Sequence, residues 1–255
     1  MIKEEQRFTA SDVLEGMTSI SALLNSGEIN DRKVVKILID REKRKSRAPQ
    51  IGFLTAKSHE LGFSIELVDG EELSRHAIGN THGGILAFCT SRTIPKLSQG
   101  HIRPDSFYVY MEGIEDPYNF GYALRSLYAA GVSGVVLPPR NWMSAAGVVA
   151  RASAGASELL PIFEASPEEA VELFRENGYS ILCAGIRDSV SVFDEHFAYP
   201  VLLVVGGEKR GISRSLLEQA DRIVRIDYGR AFNGSLSAAS AATVMAFEIF
   251  RQNKK

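Results

Sequence analysis

Residues 201–211, VLLVVGGEKRG, place a carboxylate next to a stretch of backbone that a ligand can approach. The apolar run VLLVV reads as a buried strand that leads directly into Gly206, Gly207 and Glu208, with Gly211 closing the stretch. Glycines at a strand's carboxyl end let backbone amides come close to a ligand that side chains would block. In open α/β sheets that edge is where ligands bind. Two phosphate loops fail the test here. A dinucleotide fingerprint needs GxGxxG, and Gly206-Gly207-Glu208 breaks it at the third position. The Walker spacing from Gly206 to Gly211 is correct and Ser213 fits, but Ile212 stands where the phosphate-neutralising lysine belongs. Lys209, inside the loop, cannot take that place. Glu208 repels phosphates and suits a cationic ligand.

Two further stretches carry candidate groups. In MEGIEDPYNFGYALRSLYAAGVSGVVLPPR (111–140) a strand end meets Asp116-Pro117, and Asn119 begins a helix that carries Arg125. Read alone, Asn119 belongs to an Asx turn with an N-cap and Arg125 is a surface arginine. Arg125 lies among Ala123, Leu124 and Leu127, and an arginine beside a core face is often recruited to an anion. In RIVRIDYGRAFNGSLSAASAATVMAFEIF (222–250) a strand ends at Ile226, and Ser235 is the expected N-cap of a long helix. Ala238, Ala239, Ala241 and Ala242 allow close approach of another helix, within the domain or from a second copy.

The elements that must position these groups alternate. Strands are predicted at 107–111, 133–137, 179–184, 201–205 and 222–226, and helices at 119–130, 144–153, 167–177, 213–220 and 236–252. The fold class is α/β, a mostly parallel sheet with helices on both faces. Helix 119–130 is expected to bury Leu124, Leu127 and Tyr128 and to end at Gly131. Upstream, VVKILID (34–40), SIELVD (64–69) and HGGILAFC (82–89) read as strands, and 11–26 and KSHELGF as helices. These form a small α/β domain over 1–94. Ile94–Ser106, with its prolines and glycine, reads as a linker over 95–105 ahead of the second domain, 106–255.

Composition is that of a soluble globular protein: 255 residues, 45% hydrophobic, 24% charged, net charge −2. MIKEEQRF has no apolar core and is not a secretory signal, and no apolar run nears the roughly 18 residues of a membrane span. Cys89 and Cys183 sit in apolar strand-like runs without metal-ligand spacing and read as structural thiols of a reducing, cytoplasmic compartment. No metal is expected.

Taken in order, NxxxxxR at Asn119 and Arg125, GGExxG at 206–211 and SL at 235–236 resemble the SpoU (TrmH-like) RNA methyltransferases of the SPOUT superfamily. RASAGASELLPI (151–162) and THGGILAF (81–88) are also similar to that family, so the resemblance covers most of the chain. It implies a C-terminal sheet threaded as a trefoil knot, an exception to unknotted topology. It also implies S-adenosylmethionine bound in the knot loops, a homodimer through the C-terminal domain, and methylation of an RNA ribose 2′-hydroxyl in rRNA or tRNA. On this resemblance Asn119, Arg125, Glu208 and Ser235 are catalytic-site residues, and Gly206, Gly207, Ile226 and Leu236 hold the cofactor. A sulfonium ligand without phosphate explains the missing Walker lysine.

The chain departs from the family's third motif, IPM followed by SLN. Asp227 replaces a rigid proline and Ser237 replaces an asparagine, which lowers activity or retunes the site for another substrate. A protein that binds RNA but has lost catalysis is the alternative. An oxidoreductase would need the GxGxxG loop that is absent. The basic run REKRKSR in the first domain, with Arg41, Lys43, Arg44, Lys45 and Arg47, is the expected RNA-docking patch.

Overall fold

The computed structural model describes residues 9–140 and 142–254, so MIKEEQRF lies outside the described residues. The chain forms two compact units, residues 9–93 with 142–159 and residues 94–140 with 160–254. The first unit contains β1 (Val13–Glu15), α1 (Gly16–Leu24), β2 (Val34–Asp40), α2 (Ala48–Leu61), β3 (Ser64–Val68), α3 (Gly70–His76) and β4 (Ile85–Cys89). Its four-stranded sheet has the order β1-β4-β2-β3, with β1 and β2 antiparallel to β4 and β3 parallel to β2. The expected helix over 11–26 is therefore split: Val13, Leu14 and Glu15 pair with Phe88, Ala87 and Leu86 before the helix begins. Strand pairing overrides the helical reading there. Helix α2 starts earlier than KSHELGF, with a proline in its first turn where the missing N–H costs nothing.

Next come β5 (Phe107–Glu112), α4 (Pro117–Ala129), β6 (Gly134–Leu137), α5 (Ala146–Ala152), α6 (Ala156–Leu159) and β7 (Ile162–Glu164). The chain continues through α7 (Pro167–Glu176), β8 (Ser180–Ala184), β9 (Val190–Ser191), β10 (Val201–Gly206), α8 (Arg214–Glu218), β11 (Arg222–Arg225) and α9 (Ala238–Asn253). The seven-stranded sheet of the second unit has the order β7-β6-β5-β10-β8-β11-β9, every pair parallel. Strand β10 enters between β5 and β8, and β11 between β8 and β9, so strands distant in sequence become neighbours. The short edge strands β7 and β9 extend the predicted set.

Strand alternation assigns the core. Tyr108, Tyr110, Leu202 and Val204 pack on one face with Val171 and Phe174 of α7 and Leu216 of α8. The alternate set Val109, Met111, Leu203 and Val205 is equally buried, and α9 lies against both α4 and β10. Both faces are covered, as parallel sheets require. Leu124 and Leu127 are buried as expected, whereas Tyr128, about 70° around the helix from their midpoint, is 45% exposed.

Two boundaries differ from the sequence reading. Residues 95–105 are not a free linker: Leu97 N donates to Glu164 O at 2.8 Å, Glu164 N donates to Pro95 O at 2.9 Å, and His101 stacks on Phe163. Residues 142–159, inside the stretch assigned to the second domain, cluster with the first. Charge explains this. Glu158, 2% exposed, faces Arg32 at 3.6 Å, and its carbonyl accepts from Asn30 Nδ2 at 2.8 Å. Arg151 Nη1 donates to the buried Glu15 at 3.0 Å.

Cys89 and Cys183 are buried, and burial pushes both thiols up to about 12, as suits inert structural groups. No helix among the described residues is long and apolar enough to cross a membrane.

Glu158→Ala leaves Arg32 buried without its carboxylate and is expected to cost about 3–5 kcal/mol, read as a lower urea midpoint at unchanged slope. A loss below about 1 kcal/mol, the size of an exposed pair, would remove this pair as the anchor of residues 142–159.

Candidate active site

The second unit's strand order reverses at β5 and β10, and the loops leaving the carboxyl ends of β8, β10 and β11 converge beyond that point. They enclose a cavity of about 760 Å³. Residues 184–188 follow β8, 205–211 follow β10, and 225–236 follow β11; Ala238, Ala241 and Met245 of α9 form the floor. The position is the one that open parallel sheets use for ligands. Its walls are mainly apolar, from Val205, Ile212, Ile223, Ile226, Leu236 and Met245.

Glycines make the convergence possible by a route the sequence did not reveal. A Cβ on Gly207 would sit 2.0 Å from the Gly113 carbonyl oxygen, and one on Gly206 would sit 2.3 Å from the Gly211 carbonyl carbon. Gly207 lets two loops pack backbone to backbone and Gly206 lets its own loop fold back on itself, so their absent side chains serve loop packing as well as any ligand. Gly211 N closes the turn by donating to Gly207 O at 2.9 Å. Lys209 bonds Glu115 at 2.6 Å across the same two loops, and that lysine holds the Glu115 carboxyl below its usual range. Glu112 accepts from Ser213 N at 2.8 Å and so satisfies the start of α8.

The candidate residues are distributed as follows. Gly206, Gly207, Glu208, Ile226, Ser235 and Leu236 all line the large cavity. Asn119, in the first turn of α4, donates from Nδ2 to Glu208 Oε1 at 3.2 Å. Its own N–H donates to the N-cap Asp116 at 2.7 Å, so the Asx geometry and the Asn119–Glu208 contact coexist. A smaller cavity of about 130 Å³ joins Asn119 and Glu208 to Gly113, Lys209 and Ala238.

Arg125 is the exception. It lies exposed on α4, lines neither cavity, and makes no hydrogen bond or ion pair with a described residue. Ser235 does not cap α9 as expected. Ser237 is the N-cap, its Oγ accepting from Ser240 N at 3.2 Å. The serine found in place of asparagine thus has a structural task that asparagine performs equally well. Asp227, found in place of proline, accepts from Arg225 Nε at 2.8 Å, and Ser191 together with Arg225 holds its carboxyl low. Side-chain bonds order the loop that a proline ring would stiffen.

Tyr228 and Phe232, not singled out from sequence, form a tilted pair with ring centroids 5.8 Å apart on the cavity rim. Tyr228 Oη accepts from Leu236 N at 3.1 Å. Their glycine-rich surroundings gave no apolar periodicity to mark them. In the first unit, Lys43, Arg44 and Lys45 are exposed, Arg41 pairs with Asp69 at 3.1 Å, and Arg47 is half-buried. Among the described residues, no group of three or more His, Cys, Asp or Glu could hold a metal ion.

Fold and site define an α/β protein with two units, one carrying a loop-built small-molecule cavity at the carboxyl edge of a parallel sheet and the other a smaller mixed sheet. The model of the SpoU rRNA Methylase family matches residues 106–247, and one for RNA 2′-O ribose methyltransferase substrate binding matches 13–95. The chain belongs to the SpoU rRNA methylase family. It is 34% identical over 143 residues to a protein of Staphylococcus saprophyticus named for the TrmH family of tRNA/rRNA methyltransferases; the match covers 56% of this chain and 57% of that protein. It is 24% identical to the 23S rRNA (guanosine-2′-O-)-methyltransferase RlmB of Shewanella oneidensis, across 95% of this chain and 98% of that one. The fold is shared with an AdoMet-bound rRNA methyltransferase of Sinorhizobium meliloti, with a TM-score of 0.77 and 23% identity over 94% of this chain and 86% of that one.

Gly207→Ala forces a methyl into the Gly113 carbonyl and is expected to cost about 1–3 kcal/mol with a lower melting temperature, because the obstacle is backbone. A melting temperature equal to wild type would show that the two loops separate without cost.

Proposed function

We infer that this protein is an S-adenosylmethionine-dependent RNA 2′-O-methyltransferase acting on rRNA or tRNA. The observation that carries the reading is the cavity at the sheet's carboxyl edge, with apolar walls and a carboxylate at its mouth, in a chain of the SpoU family. The lining suits the group. Apolar side chains face an adenosyl moiety, Glu208 suits a sulfonium, and Arg225 is committed to Asp227 and the Ser189 carbonyl. When bound, S-adenosylmethionine supplies a methyl on a good leaving group, so transfer to an oxygen needs no metal.

The chain's task is alignment and stabilisation of charge on the attacking ribose oxygen. Gly206, Gly207, Ile226 and Leu236 hold the adenosyl group. Asn119 fixes Glu208 at the mouth, and Ser235 lines the same cavity. Arg125, always protonated, acts as an electrostatic stabiliser rather than a base. Its exposure outside its own cavity fits the homodimer reading. Tyr118 and Tyr122 lie on the same exposed stripe of α4, and Phe247 and Phe250 are exposed on the neighbouring α9. On that reading the aromatic surface is the interface and Arg125 serves the site of the second copy. A trefoil knot of the C-terminal sheet and a cytoplasmic location complete the proposal.

Mapping methylated riboses in rRNA and tRNA from cells lacking the protein tests the activity: one modification disappears, and purified protein with cofactor restores it. Unchanged ribose methylation would favour an RNA-binding protein without catalysis. Arg125→Ala is expected to lower transfer by 10²–10³-fold with cofactor affinity nearly intact. Retention of more than about a tenth of the rate would remove Arg125 from the mechanism. Co-expression of the Arg125→Ala chain with a Glu208→Ala chain, each inactive alone, should recover activity if Arg125 serves the second copy, whereas no recovery would place its action within one chain.

A further inference from the structure

We propose that a cavity of about 310 Å³ in the first unit grips one phosphodiester of the RNA strand, with Arg47 as its anion-binding group. This rests on the RNA-methyltransferase reading and adds to it a docking subsite distinct from the cofactor cavity.

Two arginines flank the loop of residues 79–84, each lying over a glycine. A Cβ on Gly79 would meet Arg151 Nη1 at 1.7 Å, and one on Gly83 would meet Arg47 Nη2 at 2.9 Å. Gly83 has φ +61°, a conformation that already favours glycine. The loop lacks side chains where the guanidiniums lie, and both arginines reach the cavity.

Their charges are balanced differently. Arg151 is neutralised by Glu15, whose Oε1 also accepts from Ile78 N and Gly79 N. Arg47 is half-buried, yet its side chain makes no hydrogen bond or ion pair with a described residue. A partly desolvated guanidinium without an acid gains most from an anion, and its planar fork matches phosphate oxygens.

The other lining groups suit the same ligand. Thr18 and Thr81 present hydroxyls, and Met17 and Ile85 give an apolar wall for ribose or base. Gly84 N donates to His82 Nδ1 at 3.1 Å, so the neutral ring carries its proton on Nε2 as a further donor. Residues 13–95, which contain all of these except Arg151, match the substrate-binding model for RNA 2′-O ribose methyltransferases. That match selects RNA over a free anion. The basic run thus divides: Lys43, Arg44 and Lys45 are exposed steering charges, and Arg47 belongs to a built site.

The test is fluorescence anisotropy of a short, fluorescein-labelled, single-stranded RNA of mixed sequence, titrated across salt with the full-length protein. Arg47→Ala should weaken binding about tenfold and lower the salt slope by about 0.7, the value of one phosphate contact. Arg47→Lys should recover the slope but not the affinity, because the fork is lost while the charge remains. Thr18→Val should weaken binding at unchanged slope. Cofactor affinity, measured by calorimetry, should be that of wild type throughout and reports that the variants are folded. Affinity and slope within twofold of wild type for Arg47→Ala, or full affinity for Arg47→Lys, would overturn the subsite. A wild-type protein that binds no RNA would overturn the underlying reading as well.

Discussion

The close approach of Gly207 to Gly113 is the constraint from which the cavity follows. A parallel sheet presents all its strand ends on one edge, but a cavity forms there only if the loops leaving those ends can touch. Here β10 enters between β5 and β8, which sets the loop after β10 against the loop after β5. The gap is too small for a methyl group. Once those loops meet, Lys209 and Glu115 tie them, Asn119 reaches Glu208, and the loops after β8 and β11 close the remaining sides. Substituting Gly207 acts on this assembly before it acts on any ligand.

The departures at Asp227 and Ser237 belong to the same logic. A loop that contributes to a cavity must be ordered, and proline or asparagine is one way to achieve that. In this chain Arg225 and Ser191 hold Asp227, and Ser237 caps α9. Order is kept through different bonds. The changes read as substitutions of means rather than as erosion of the site.

Sequence periodicity made the second unit's core legible, because buried parallel strands are continuous apolar runs and the helices between them are amphipathic. The glycines that follow the apolar run marked the loop 206–208, whereas Ile226, Ser235 and Leu236 were marked as site residues only by the resemblance to the SpoU family. The edge strands β7 and β9 were too short to show a period. Strand β1 was hidden because Val13-Leu14-Glu15 also fits a helical pattern, and only its pairing with β4 decides the matter. The grouping of residues 142–159 with the first unit depends on ion pairs, Glu158 with Arg32 and Glu15 with Arg151, between positions more than a hundred residues apart. Hydropathy carries no trace of such pairs. The half-burial of Arg47 beside the exposed Lys43, Arg44 and Lys45 likewise leaves no mark in the sequence.

Hydrogen exchange with and without S-adenosylhomocysteine tests the central claim most directly, since bound ligand slows the opening of the loops it touches. The account predicts slowed exchange in residues 184–188, 206–211 and 226–237 together, with residues 79–84 unchanged. Protection confined to one of those loops, protection centred on residues 79–84, or none at saturating ligand would contradict a cofactor site built at the carboxyl edge of the seven-stranded sheet.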